Sequence, residues 1–208
     1  MLVTQILPLD KKRSRIWLDE EFAFVLYKGE LRRFNIKEGE ELGSESYNEI
    51  MNEVLPKRAK LRAMNLLKSH TYTFKQLRDK LSEGLYPAEI TELAIEYVAS
   101  YGYLDDERLA EEYIRIHLSD KSKMRIKQDL LRKGVPADVI TKAFENCDDE
   151  GFVPDEISQI KKLLEKRKFD PNQNKDPKEK AKQFSYLVSK GYKTDTIRKV
   201  LGSYDDYE

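Results

Sequence analysis

Apolar residues recur at helical spacing three times between residues 57 and 204, and the three passages align on glycine. With Gly84, Gly134 and Gly191 superposed, Ile90, Leu93, Ala94 and Tyr97 fall on Ile140, Ala143, Phe144 and Cys147, and on Ile197, Val200, Leu201 and Tyr204. The spacing i, i+3, i+4, i+7 is that of a helix with one apolar face. Leu81, Leu131 and Val188 share the position three before the glycine, and Leu85, Val135 and Tyr192 the position after it. Each glycine thus reads as the stop of one helix, with Pro87 and Pro136 close to the first turn of the next. An earlier helix precedes each pair. It runs from Lys57 to Ser69 with Leu61, Met64 and Leu67 apolar; it follows Asp105 and Asp106 with Leu109, Tyr113 and Ile116 apolar; and it starts near Asp155 with Ile157, Ile160, Leu163 and Leu164. The pattern predicts a mainly α protein of three tandem three-helix repeats, 57–104, 105–150 and 151–208. The third is lengthened by a Pro/Asn/Asp-rich loop from Phe169 to Pro177. One such unit has a thin core, so the expected arrangement is an elongated, curved array in which neighbours cover each other's faces.

Residues 1–36 alternate differently. Leu2–Leu7, Arg15–Leu18, Phe22–Tyr27 and Glu30–Phe34 read as four short strands, punctuated by Asp19-Glu20-Glu21 and Lys28-Gly29. A small antiparallel β segment follows, too small to be stable alone, so it should pack on the helices or on a partner. Residues 37–56 read as a linker and a short helix that Ser44 or Ser46 can cap, with Pro56 at a boundary or in a helix's first turn.

The joint between the first two repeats spans residues 100–115. Leu93, Tyr97 and Tyr101 close one apolar stripe, Gly102 supplies a stop, and Asp105 or Asp106 can cap the helix that follows.

The 208-residue chain has 38 Lys+Arg and 38 Asp+Glu, a formal net charge of zero, and 37% charged residues. Zero balance argues against free DNA as the main partner, because nucleic-acid-binding domains are usually basic. The charge is nevertheless segregated. Lys57, Arg58, Lys60, Arg62, Lys68, Lys75, Arg78 and Lys80 face one acid, Asp79; Lys121, Lys123, Arg125, Lys127, Arg132 and Lys133 face one acid, Asp129. Residues 83–112 and 138–156 are acidic. The middle helix of each repeat is therefore basic. Either these charges pair with acidic neighbours, or the middle helices form a basic surface for a phosphate backbone or an acidic protein groove. Lys75, Arg78, Lys80, Lys121, Lys123, Arg125, Lys127, Arg132 and Lys133 are the candidate contacts.

Little in the chain suggests catalysis. His70 and His117 fall in different repeats, and Cys147 lies on an apolar stripe. No phosphate-binding loop, dinucleotide fingerprint, HExxH or GxSxG occurs. Asp105-Asp106-Glu107 is explained by helix capping, and the tyrosines that can be placed fall mainly on packing stripes, so no stacking platform is expected. The single cysteine and the lack of an apolar run long enough to span a bilayer suit a reducing, cytoplasmic compartment with no membrane partner. No cofactor and no metal are expected.

One stretch resembles a known family. Gly102-Tyr103-Leu104-Asp105-Asp106-Glu107-Arg108-Leu109-Ala110, closing on Arg115, is similar to the signature of the RecX family of recombinase regulators. Arg132-Lys133-Gly134-Val135 and Ser189-Lys190-Gly191-Tyr192 resemble its second- and third-repeat motifs, and residues 1–50 resemble the β segment of its longer members. Leu109 departs from the Phe of many members, and Ser82-Glu83-Gly84 lacks the basic pair before the glycine seen in the family's later repeats. The resemblance implies a non-enzymatic protein, expected to be monomeric, that binds the RecA recombinase on single-stranded DNA and restrains its strand exchange, ATPase and coprotease activities from the filament groove. Weak binding to single- or double-stranded DNA would accompany this. A helix-turn-helix-like DNA-binding protein and a general helical scaffold are the alternatives.

Overall fold

The computed structural model describes residues 1–174 and 176–202, so Tyr204 of the third stripe lies outside the described residues. It is mainly helical with an N-terminal antiparallel sheet, and it divides into two compact units, Met1–Asp105 and Asp106–Glu208.

In the first unit, β1 (Val3–Pro8), β2 (Arg13–Leu18) and β3 (Glu21–Tyr27) form a meander in that order. Ile16 lies opposite Ile6 on one side and Phe24 on the other. Asp19 and Glu20 both take positive φ, the mirror-turn geometry whose twist suits a tight hairpin. The predicted fourth strand is instead helix α1 (Lys28–Arg33). Leu31 and Phe34, three residues apart, both pack on the core, which is a helical spacing. The Glu30 carboxylate also accepts the Tyr27 amide proton at 2.7 Å, which fixes the helix start.

The chain then runs back beside β1, with the Leu42 and Val3 amides bonded to the Met1 and Glu40 carbonyls and with Ile36 and Leu42 buried. Helix α2 (Ser44–Glu49) starts from Gly43, so neither Ser44 nor Ser46 is its cap. It continues through a π-helical turn, Ile50–Val54, into α3 (Leu55–Ser69), with Pro56 in the first turn of α3. Helices α4 (Phe74–Glu83) and α5 (Ala88–Ser100) complete the first repeat. Sheet and helices share one core, in which Val3, Ile16, Phe24 and Leu26 meet Leu55, Ala59, Leu77, Ile90 and Val98. The β segment therefore packs on the helices. Arg58 clamps this junction: it pairs with Glu30, donates to the Val25 carbonyl at 3.0 Å and covers the Tyr27 ring.

The second unit holds α6 (Asp106–His117), α7 (Lys123–Lys133) and α8 (Ala137–Asp149), then α9 (Glu156–Lys166), α10 (Pro177–Ser189) and α11 (Thr194–Leu201). Each triplet closes its own core, one around Ala110, Ile114, Ile126, Leu130 and Ile140, the other around Ile160, Leu164, Phe169, Leu187 and Ile197. Phe169, placed in the loop by its neighbours, is a core residue.

The glycine superposition is off by one residue in the first repeat. The amides of Tyr86, Val135 and Tyr192 close back on the carbonyls of Leu81, Leu130 and Leu187, so these are the equivalent positions. The left-handed residue between them is Leu85 (φ 61°), Gly134 (φ 88°) and Gly191 (φ 85°), whereas Gly84 is right-handed. Leu81, Leu130 and Leu187 are fully buried, while Leu131 and Val188, matched to Leu81 from sequence, are 44% and 42% exposed. It follows that Thr91 matches Ile140 and Ile197, and Val98 matches Cys147. The first-repeat stripe shifts with it: Ile90, Thr91, Ala94, Ile95 and Val98 are buried and Leu93 is exposed. The first helices are rotated too, with Ala59, Ala63 and Leu66 buried instead of Leu61, and Ala110 and Ile114 instead of Ile116. Small alanines at close helix crossings carry no signal in a count of large apolar residues.

Repeats two and three meet through a polar joint. Ser122 Oγ caps α7 by accepting from the Arg125 amide at 3.2 Å and donates to the Lys190 carbonyl at 2.7 Å. Gln159 Nε2 donates to the Leu118 carbonyl at 2.6 Å. A Cβ at Gly191 would lie 2.9 Å from both Ser122 Oγ and the Met124 Cβ.

Candidate partner-binding surface

The basic middle helices differ in how their charges are used. On α4 each cation meets an acid: Lys75 with Asp79 at 2.8 Å, Arg78 with Glu92 at 2.5 and 2.8 Å, and Lys80 with Glu83 at 2.7 Å. The Glu92 hydrogen bonds hold the Arg78 guanidinium above its ordinary pKa, and the reciprocal bonds hold Glu92 below the usual carboxylate range. Three cations and three carboxylates leave no local surplus.

On α7 one carboxylate serves several cations. Asp129 is buried and paired with Lys121 at 3.0 Å, Arg125 at 3.5 Å and Arg132. Tyr113 donates its hydroxyl to Asp129 at 3.1 Å, and its ring carries Lys121 on one contact and Lys133 on another, 5.1 and 5.6 Å from the centroid. The His117 ring lies 4.3 Å from that of Tyr113. Burial pushes the Asp129 carboxyl up, but the hydrogen bonds from Lys121, Arg132 and Tyr113 outweigh it and hold it down at about 2. Burial pulls Lys121 down, and the bonds to Tyr113 and Asp129 more than restore it, leaving its pKa raised. Asp129 is therefore a fixed anion that neutralises one of the three cations paired with it, Lys121, Arg125 and Arg132. The remainder form a positive patch whose guanidinium groups are held in place.

The opposite flank of α7 carries Lys123 and Lys127. Lys123 pairs with Asp148 at 2.7 Å and lies over the Phe144 ring, while Lys127 is exposed and forms no ion pair among the described residues. Both line an open groove of about 700 Å3 whose apolar walls include Met124, Phe144, Val153 and Ile157. The nine candidate cations thus fall into three groups: α4, the Asp129 cluster and the groove.

The motif residues are mostly architectural. Leu104 and Ala110 are buried, Asp105 directly precedes α6, and Asp106 is its first residue and is buried. Tyr103 is exposed, Leu109 is half-buried against the core, and Arg108 pairs with Glu112 at 3.1 Å. Arg115 ties α6 to the end of α8 through Glu150 at 2.8 Å and is steadied by Glu111 on its own helix at 3.2 Å. Gly134 and Gly191 hold left-handed turns. Cys147 is buried, and burial pushes its thiol up, away from thiolate chemistry. Among the described residues no group of three or more His, Cys, Asp or Glu side chains is placed to hold a metal ion, and no helix is long and apolar enough to cross a membrane.

Of the two tyrosines assigned to the α5 stripe, Tyr97 packs against the core and Tyr101 does not. Tyr101, assigned to a packing stripe, is exposed and meets Tyr97 edge-on at 5.1 Å and Tyr103 in a stack at 6.0 Å. An aromatic at a helix end gives no sequence signal that separates burial from display.

Two family models match, the second three-helix domain of RecX over residues 105–143 and the third over residues 154–201. A regulatory protein RecX from Clostridium perfringens (strain 13 / Type A) is 31% identical over 191 residues, covering 91% of this chain and 88% of the relative. The chain belongs to the RecX family. The regulatory protein RecX of Caldanaerobacter subterraneus subsp. tengcongensis is 30% identical over 203 residues, covering 97% of this chain and 98% of the relative. Among solved structures, a regulatory protein RecX has a TM-score of 0.62 at 23% identity, covering 96% of this chain and 98% of its own, and RecX from Lactobacillus salivarius has 0.59 at 22%, covering 71% and 95%. These structures support the RecX fold. A regulatory role is the function that the names of the relatives carry.

Proposed function

We propose that this chain binds the RecA recombinase, as filaments on single-stranded DNA, and restrains its recombinase, ATPase and coprotease activities by docking along the filament groove. The observation that carries this reading is the likeness, over nearly the whole chain, to relatives named regulatory protein RecX. The role is non-enzymatic and cytoplasmic, and the protein acts as a monomer. Zero net charge suits a partner that is protein first and nucleic acid second. The cation surplus around Asp129 supplies a local attraction for filament-bound phosphate without making the whole chain basic.

The test is RecA ATPase on single-stranded DNA with sub-stoichiometric protein. The expected result is a lowered rate and shorter or fewer filaments; no change in either rejects the proposal. Reversing Lys123, Arg125 and Lys127 to Glu should weaken filament binding and flatten its salt dependence. Unchanged binding with unchanged salt dependence would remove α7 from the contact surface. A steeply salt-dependent affinity for duplex DNA without RecA would favour the helix-turn-helix reading instead.

A further inference from the structure

The outward face of α5 has a composition unlike the rest of the surface. Leu93, Tyr97 and Tyr101 follow one another at i, i+4, i+8, and Tyr103 extends the row beyond the helix end. Leu93, Tyr101 and Tyr103 are 46%, 60% and 58% exposed, so these three are displayed, while Tyr97 is half-buried against the core and anchors the row. The rings are already ordered against each other, edge-on between Tyr97 and Tyr101 and stacked between Tyr101 and Tyr103. Rings that stack on each other lose little freedom when a partner covers them, and tyrosine concentrates binding energy at interface centres.

The charge beside the row selects the partner. Helix α5 contains Glu89, Glu92 and Glu96 and no Lys or Arg. Glu92 is held by Arg78, but Glu89 and Glu96 are exposed, form no ion pair among the described residues, and flank the same side of the row at helical spacing. A phosphate backbone would be repelled here. A cation is attracted, and the chain already shows this: Lys60 Nζ sits 4.8 Å from the centre of the Tyr97 ring.

We propose that the Leu93–Tyr97–Tyr101–Tyr103 row is a docking face for a protein segment that presents arginine or lysine beside an apolar residue. The cation stacks on Tyr101 and Tyr103 at the Glu96 end of the row, since Lys60 already covers the Tyr97 ring, and the apolar side chain covers Leu93 one turn from Glu89. This deepens the proposed function and rests on it: the first unit supplies a protein contact, while the phosphate-attracting cations lie on α7.

The experiment uses the full chain and two probes, RecA filaments on single-stranded DNA and an oligo(dT) strand alone, with affinity read by fluorescence anisotropy. Replacing Tyr101 and Tyr103 together by Ala should weaken filament binding at least tenfold and leave oligo(dT) affinity unchanged, and Phe at both positions should restore most of the filament affinity. Glu89→Gln with Glu96→Gln, which disturbs no packing, should also weaken filament binding and reduce its salt dependence. Filament affinity unchanged in both variants overturns the docking face while leaving the RecA reading intact. Loss of oligo(dT) affinity in the Ala variant would make the row a stacking platform for bases and likewise overturn it. A wild-type chain that fails to bind filaments rejects the RecA reading, and this face as stated goes with it.

Discussion

Gly191 is where the backbone and the joint between repeats two and three make the same demand. At φ 85° an alanine carries the left-handed penalty, about 1–2 kcal/mol. Its Cβ would also lie 2.9 Å from Ser122 Oγ and from the Met124 Cβ, inside any normal contact. The Met124 Cβ is fixed to α7, so the strain is relieved only by moving the Gly191 turn and the start of α7 apart, which displaces Ser122 from its partners. That hydroxyl both caps α7 and bonds the Lys190 carbonyl. Losing the cap costs about 0.5–2 kcal/mol and losing the cross-repeat bond about 0.5–1.5. Gly191→Ala should therefore destabilise by about 2–5 kcal/mol. Gly151 is the internal control, because it has φ 88° with nothing within 4 Å of an added Cβ, so Gly151→Ala should cost only the backbone penalty of about 1–2 kcal/mol. Urea denaturation followed by far-UV circular dichroism measures both. Hydrogen exchange at the Arg125 amide separates the causes: it should speed up in Gly191→Ala and not in Gly151→Ala. Equal losses in the two variants, with Arg125 protection unchanged, would refute the close-approach argument.

Two further outcomes are expected. Thr91 is buried with its hydroxyl unpartnered, at the position filled by Ile140 and Ile197 in the other repeats, so Thr91→Val should raise stability by about 1 kcal/mol in the same denaturation assay. Asp129 titrates at about 2 in the folded chain against 3.8 ordinarily, so its contribution is fully present above about pH 4 and is lost as pH falls through about 2. Asp129→Asn should cost about 1–2 kcal/mol at pH 7 and flatten the acid limb of the stability curve, measured by urea titration between pH 2 and 7.

The helical repeats and the sheet were legible because period and punctuation carry them: Asp155 caps α9, Gly102 follows α5, and strands β1 to β3 lie within two residues of their expected bounds. The register of the first repeat was not, because Leu85 occupies a conformation that glycine fills in the other two, and the nearby Gly84 invites the wrong match. Helix α1 was misread because its evidence is tertiary, in the shared burial of Leu31 and Phe34 and the clamp from Arg58. The candidate surface was legible as a list of basic residues. Their division into neutralised and surplus groups was not, since Glu92 and Asp148 reach Arg78 and Lys123 from other helices, 14 and 25 residues away in sequence. Nor could composition reveal that Tyr101 and Tyr103 lie ring against ring on the outside, next to a half-buried Tyr97.

The closed cores of repeats two and three have an evolutionary consequence. Because the two cores are built from separate sets of buried side chains, a whole triplet of helices can be duplicated, lost or exchanged without redesigning the interior of its neighbour. What such a change must preserve is confined to a few small positions, a serine that bridges and a glycine that leaves room for it, so the step from repeat two to repeat three is set by Ser122 and Gly191 and not by either interior.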